Sequence, residues 1–240
     1  MKKLALAVGL ISAGCPKSPA EAPAPPPSLV ATAKRALAER ERRLTSFKLV
    51  VDSTEGEQRA HHEFAFKSPN KSRGHMTVPQ EVELAFDGAR LVRVLYPAKV
   101  VEVVPLDLPP AQRAYFLAST FMPFAPEGYR APLLPLSGVE AKQVSRPDAA
   151  EAVELTVRPG DGVTVRYVLR LPSGDFLEKR TVAEGKERVL KVLEEHCEAA
   201  LGVCVPTKLV ETMGEVVLGT TSVSDVELNP ALPQEFFSPR

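Results

Sequence analysis

Three cysteines and four histidines are the side chains best suited to nucleophilic or metal chemistry. His61 and His62 are adjacent in a stretch that alternates with period two. Neighbours on a strand point to opposite faces, so this pair cannot jointly hold a metal. His75 and His196 stand alone. His196, Cys197 and Cys204 offer three zinc-type ligands but no fourth at a workable spacing. There is no G-x-S-x-G, H-E-x-x-H, Walker or Rossmann motif. The acidic residues are scattered, with no evident buried pair. No catalytic residue, metal or cofactor is expected. Cys197 and Cys204 suit a different chemistry, because they flank residues 198–203, whose Gly202 favours a turn between two strands. Oxidised, they would close a loop of eight residues, worth roughly 2.5 kcal/mol in the chain-entropy picture. That bond needs an oxidising compartment.

The N-terminus points to one. Met1-Lys2-Lys3 is a short positive segment, residues 4–11 are apolar, and Ser12-Ala13-Gly14 precede Cys15. This is the order of an export signal. The small residues before Cys15 resemble the lipobox of bacterial lipoproteins, with Ser12 where that motif usually has Leu. The resemblance implies cleavage before Cys15, a diacylated Cys15 sulfur and an acylated new N-terminus. It also accounts for the odd cysteine: one lipidated, two bridged. Residues 16–28 contain six prolines in thirteen positions. Such a stretch cannot pack and forms a semi-extended tether of about 3 Å per residue. The expected organisation is a signal over 1–14, a lipidated Cys15 with a tether over 15–28, and one folded domain over 29–240.

Composition narrows the classes further. Thirty basic residues balance thirty acidic ones, so the chain lacks the cationic excess that phosphate neutralisation requires; no nucleic acid partner is expected. No stretch reaches the roughly 20 apolar residues of a membrane-spanning helix. The 23 prolines exclude a long helical bundle and favour short strands with many turns.

Ser28 can cap a helix over residues 29–44. Leu29, Val30, Ala33, Leu37 and Leu44 recur there at helical spacing, while Lys34, Arg35, Glu39, Arg40, Glu41, Arg42 and Arg43 fill the other face. A packing helix with a solvated basic face explains this better than membrane docking. The period then changes to two. Phe47, Leu49 and Val51 alternate with polar or smaller neighbours, as do His62, Phe64 and Phe66, then Val82, Leu84 and Phe86. Asp87-Gly88 is a hairpin signal, after which Val92, Val94 and Tyr96 share a face. Residues 105–137 interrupt the strands with seven prolines and the apolar residues Tyr115, Phe116, Phe121 and Phe124. Pro109-Pro110 opens a short helix there, read either as core or as a cover over a cavity. Strands resume near Val153 and run to Leu228, with residues 186–195 ambiguous between strand and helix and read as strand. The fold class is mainly β: ten or eleven strands and two helical segments, forming one large curved antiparallel sheet.

Phe66-Lys67-Ser68-Pro69, Lys71-Ser72-Arg73, Asp87-Gly88 and Tyr96-Pro97, followed by Gly202, Pro206-Thr207, Asn229-Pro230 and Phe236-Phe237, resemble the outer-membrane lipoprotein carrier superfamily, the LolA/LolB-like proteins. Gly74 and His75 depart from it, standing where that family has bulky apolar residues. The resemblance implies an open half-barrel with a helical cover and an apolar concavity. Phe64, Phe66, Val82, Leu84, Phe86, Val92, Val94 and Tyr96 would line it, and Tyr115, Phe116, Phe121 and Phe124 would cover it. It further implies that Arg73 bonds to the cover and closes it; the alternative for Arg73 is a surface charge after a turn. The implied ligands are lipid acyl chains or lipoproteins. A buried methylene is worth about 0.8 kcal/mol, so a chain of about fifteen holds to a bilayer by roughly 12 kcal/mol. A protein receiving one must offer comparable apolar area that is covered when empty. An acylated Cys15 argues against a soluble shuttle and for receipt of cargo at the protein's own membrane; a monomer is expected, and the resemblance to outer-membrane carriers implies the outer membrane, facing the periplasm. The alternative is a periplasmic sensor or scaffold of the same fold with no lipid cargo.

Overall fold

The computed structural model describes residues 27–105, 126–131, 138–160 and 162–238. Helix α1 (Leu29–Arg43) opens at Ser28, whose hydroxyl accepts from the Ala31 N–H at 3.2 Å. This satisfies one of the free donors of the first turn. Arg40, Arg42 and Arg43 stand in the last turn, where positive charge suits the helix dipole.

Among the described residues thirteen strands follow: β1 (Ser46–Glu55), β2 (Gln58–Lys67), β3 (Lys71–Val78), β4 (Val82–Phe86), β5 (Arg90–Leu95), β6 (Val100–Pro105), β7 (Glu140–Arg146), β8 (Ala149–Gly160), β9 (Val163–Arg170), β10 (Phe176–Ala183), β11 (Lys186–Glu198), β12 (Val203–Met213) and β13 (Val216–Leu228). They form one antiparallel sheet in the order β6-β5-β4-β3-β2-β1-β13-β12-β11-β10-β9-β8-β7. Among the described residues the first and last strands meet in the middle of the sheet, and β6 and β7 lie at its two edges. The result is the expected curved, open half-barrel with a helix over it.

Ten or eleven strands were too few. β3 (KSRGHMTV) and β7 (EAKQVSR) carry no clean alternation, because Gly74 interrupts one and the other is a polar edge. β13 runs unbroken through Gly219. A Cβ on Gly219 would lie 2.2 Å from the Thr54 carbonyl oxygen, so this glycine marks a close approach of β1 rather than a turn. Residues 186–195 are strand, within β11. The second expected helix, with Tyr115, Phe116, Phe121 and Phe124, lies outside the described residues, as do residues 1–26 with Cys15.

Cross-strand register defines the two faces. Phe47, Leu49 and Val51 oppose Phe66, Phe64 and His62, and Ser72, Gly74 and Met76 oppose Phe86, Leu84 and Val82. Phe86, Leu84 and Val82 in turn oppose Leu91, Arg93 and Leu95. Directly opposed residues share a face, and this set forms the inner one. Val92, Val94 and Tyr96 therefore face the other way, against the expectation that they line the same concavity. The physical reason is the hairpin after Phe86: the Asp87 carboxylate accepts from the Ala89 and Arg90 N–H groups, each at 2.8 Å. The turn so formed pairs Phe86 with Leu91, and a shift of one residue exchanges the faces.

On the inner face of β8, β9, β10 and β12, α1 buries Ala33 and Leu37 against Val153, Leu155, Tyr167, Leu169, Phe176 and Leu209. The chain end crosses the outer face instead, where Leu232 and Phe237 pack on Ala65. Asn229 ties that end to the helix: its side chain donates to the Arg43 carbonyl at 2.7 Å and accepts from the Thr45 N–H at 2.8 Å.

The outer face of β7–β10 is laced with ion pairs. Glu178 is buried there between Arg146, at 2.9 Å, and Arg180, at 2.5 Å. Burial alone would raise its pKa, but the hydrogen bonds from Arg146 and Arg180 win and hold it below the ordinary 4.5. A carboxylate depressed in the folded state stabilises above its unfolded pKa and loses that contribution as pH falls through the folded value. Unfolding free energy is thus expected to drop on acidification below about pH 4, and Glu178→Gln should flatten that slope in urea melts at stepped pH. An unchanged slope would mean the pair is solvated.

Candidate functional site: the inner face and its clamp

The inner face of the β1–β5 half is aromatic and aliphatic. Phe47 is fully buried, with ring centroids 5.9 Å from Phe64 and 5.3 Å from Phe66. Leu49, Val82, Leu84, Phe86 and Leu91 continue the same buried cluster. Of the sequence-derived cavity residues, Phe64, Phe66, Val82, Leu84 and Phe86 come together here.

Residues 126–131, from the stretch that links the two edges, lie over this floor. The Tyr129 ring sits 5.2 Å from Phe47, and its hydroxyl donates to the Pro206 carbonyl at 2.9 Å. Burial pushes the Tyr129 phenol well above its usual pKa, so it remains a neutral donor. The Arg130 guanidinium lies 4.1 Å from the Phe66 ring centroid and 3.5 Å from Glu41. Such stacking suits arginine at a partly desolvated site. Glu127 pairs with Lys179 of β10. Gly128 has φ +91°, and a Cβ there would meet Pro206 at 2.8 Å; only glycine fits both conditions.

Beneath the segment lies Arg40, 2% exposed. It donates to the carbonyls of Gly128 and of Tyr129, the latter at 3.3 Å. It also donates to the Cys204 carbonyl at 3.1 Å and to the Asp175 carboxylate at 3.3 Å. Burial lowers the Arg40 pKa, with Asp175 opposing that shift. Asp175, equally buried, further accepts from the Cys204 N–H at 3.1 Å. One guanidinium thus joins α1, the covering segment, the β9–β10 turn and β12. The sequence reading placed Arg40 on the solvated face, and the structure corrects this. Ala33, Leu37, Arg40 and Leu44 follow steps of four, three and four, which is the apolar stripe itself. That position was the available signal for Arg40; none marked Tyr129 or Asp175.

The expected role of Arg73 also changes. The register of β3 turns Ser72 and Gly74 inward and Arg73 outward. There Arg73 pairs with Glu83, donates to the Phe236 carbonyl at 2.9 Å and stacks 5.3 Å from the Phe236 ring centroid. It fastens the chain end; the cover it was expected to close, with Tyr115, Phe116, Phe121 and Phe124, lies outside the described residues. Tyr96 borders the same outer region, a cavity of about 400 Å³ with Glu63, His75 and Glu81 among its walls. Val92 and Val94 are buried on this outer side. Cys197 and Cys204 form a disulfide between β11 and β12. Among the described residues the one metal-capable cluster is Glu195 with these two sulfurs, which are bonded to each other.

No protein-family profile matches the chain, and no curated protein matches it in sequence. Solved structures do. A DUF1329 family protein from Desulfovibrio piger is 8% identical with a TM-score of 0.54, covering 86% of this chain and 97% of its own. A LolA superfamily protein from Nitrosomonas europaea is 14% identical with a TM-score of 0.53 and the same coverage, 86% and 97%. A domain from Vibrio parahaemolyticus named for outer membrane lipoprotein sorting is 9% identical, with a TM-score of 0.55 and coverage of 85% and 97%. These proteins share their fold with the chain, which is an open antiparallel half-barrel holding a helix on its inner face. Its fold is LolA/LolB-like; at such identities the likeness concerns fold alone.

Proposed function

We propose that this chain is a lipid-tethered protein of the bacterial cell envelope whose inner face binds acyl chains, of lipids or of lipoproteins. The observation that carries the reading is the continuous apolar floor from Phe47 to Phe86 beneath a segment held by polar bonds. Tyr129, Arg130 and the Gly128 carbonyl secure that segment through hydrogen bonds and ion pairs. The fold is shared with a LolA superfamily protein and a domain named for lipoprotein sorting. Residues 1–14 act as the signal, Cys15 carries the lipid, and residues 15–28 are the tether, placing the domain at the periplasmic side of the outer membrane. No described helix is long and apolar enough to cross a membrane; in this reading the anchor is the acylated Cys15. No chemistry is assigned to the domain, which acts by binding, as a monomer. A sensor or scaffold without cargo is the second reading, favoured by the Tyr129–Phe47 and Arg130–Phe66 contacts that occupy the centre of the floor.

A single introduced tryptophan separates the two, because the chain has none. Leu84→Trp in the Cys15→Ser chain should show saturable quenching by a brominated fatty acid. No quenching at micromolar ligand, with the fold intact by circular dichroism, leaves the scaffold. Labelled palmitate should enter the unmodified chain in cells and fail to enter the Cys15→Ser chain.

A further inference from the structure

We propose that the Cys197–Cys204 disulfide is a redox-responsive latch for the covering segment, opened by an external dithiol. Two features of its placement carry this. First, it closes the β11–β12 hairpin with one residue, Cys197, exposed to solvent. Second, the peptide groups of Cys204 belong to the buried cluster that holds the cover. The Cys204 N–H donates to Asp175 at 3.1 Å, and its carbonyl accepts from Arg40 at 3.1 Å. The remaining Arg40 donors hold the Gly128 and Tyr129 carbonyls. The hairpin tip is tied to the same helix, since Arg43 donates to the Gly202 carbonyl at 2.7 Å. A disulfide on a surface hairpin remote from any moving part would stabilise only that hairpin. This one constrains the backbone on which the covering segment depends. Members of a buried polar network support one another, so slackening one weakens the rest.

The exchange balances without another reactant. A thiolate of the dithiol attacks the Cys197 sulfur, and the Cys204 thiolate leaves. The second thiolate of the dithiol then attacks the mixed disulfide and releases Cys197. The dithiol is oxidised to its own disulfide and loses two electrons. The protein sulfurs gain them, together with the two protons. Freed of the cross-link, the hairpin gains conformational entropy, the Cys204 peptide loses its fixed position, and the Gly128–Tyr129 backbone opens more often. The latch operates whatever occupies the inner face.

Hydrogen exchange read by mass spectrometry tests it on the full chain carrying Cys15→Ser, oxidised and then reduced with dithiothreitol. The expected result is exchange roughly tenfold faster over residues 126–131 after reduction, with peptides of β4 and β5 unchanged. The Cys197→Ser chain should match the reduced form without any reductant. Asp175→Asn, if folded, should exchange fast in both redox states. Equal exchange of 126–131 in the two states overturns the latch. So does a uniform increase across all thirteen strands, which would make the bond a general staple.

Discussion

Arg40→Ala is expected to lower the unfolding free energy by about 3–5 kcal/mol. The guanidinium is 2% exposed and donates to three backbone carbonyls and one carboxylate. Truncation leaves Asp175 charged and buried, with Arg170 at 3.5 Å as its remaining side-chain partner. It also strands the carbonyls of Gly128, Tyr129 and Cys204 unless water enters, and each buried unsatisfied group costs about 1–3 kcal/mol. Replacing both partners with apolar residues is often tolerated for an isolated buried pair. Here the Arg40→Met, Asp175→Leu double variant should recover little, because the carbonyls still lack donors. Urea melts of the two singles and the double, with the disulfide intact, measure this. A loss under about 1 kcal/mol for Arg40→Ala, the size of an exposed pair, would show that the cluster is hydrated and does not hold the cover.

Phe47→Ala should cost about 3–5 kcal/mol. Phe47 is fully buried and touches the aromatic rings of Phe64, Phe66 and Tyr129. Its removal deletes the aromatic contact with Tyr129 of the covering segment, and β1 sits between β2 and β13, so the surrounding backbone cannot readily collapse into the space. Phe47→Leu should cost less than half as much, since most of the volume remains. The pair of melts separates cavity formation from loss of a specific ring contact. Equal costs would point to the ring geometry, and a small cost for alanine would mean the floor is loosely covered already.

Strand type and strand location were legible wherever one face is buried and the other wet. Phe47-Leu49-Val51 and Val82-Leu84-Phe86 alternate because burial is decided residue by residue along a strand, and that is a local property. The turns at Asp87-Gly88 and Gly202 and the helix start at Ser28 are local for the same reason. β3 and β7 escaped because neither carries a clean alternation, one broken by Gly74 and the other a polar edge. Which face Val92 and Val94 join depends on the pairing of Phe86 with Leu91, and one residue of register reverses it. The meeting of β1 with β13 joins residues such as Phe47 and Leu228 from opposite ends of the chain, and no local pattern encodes that. Composition, periodicity and turn chemistry by themselves determined a β-rich chain with one amphipathic helix, a proline-rich leader and a paired set of cysteines. Tertiary structure alone decided that Arg40 is buried and Arg73 faces outward. The fate of a charge depends on which carbonyls and carboxylates the fold brings around it, and Gly128, Asp175 and Cys204 are far from Arg40 in sequence.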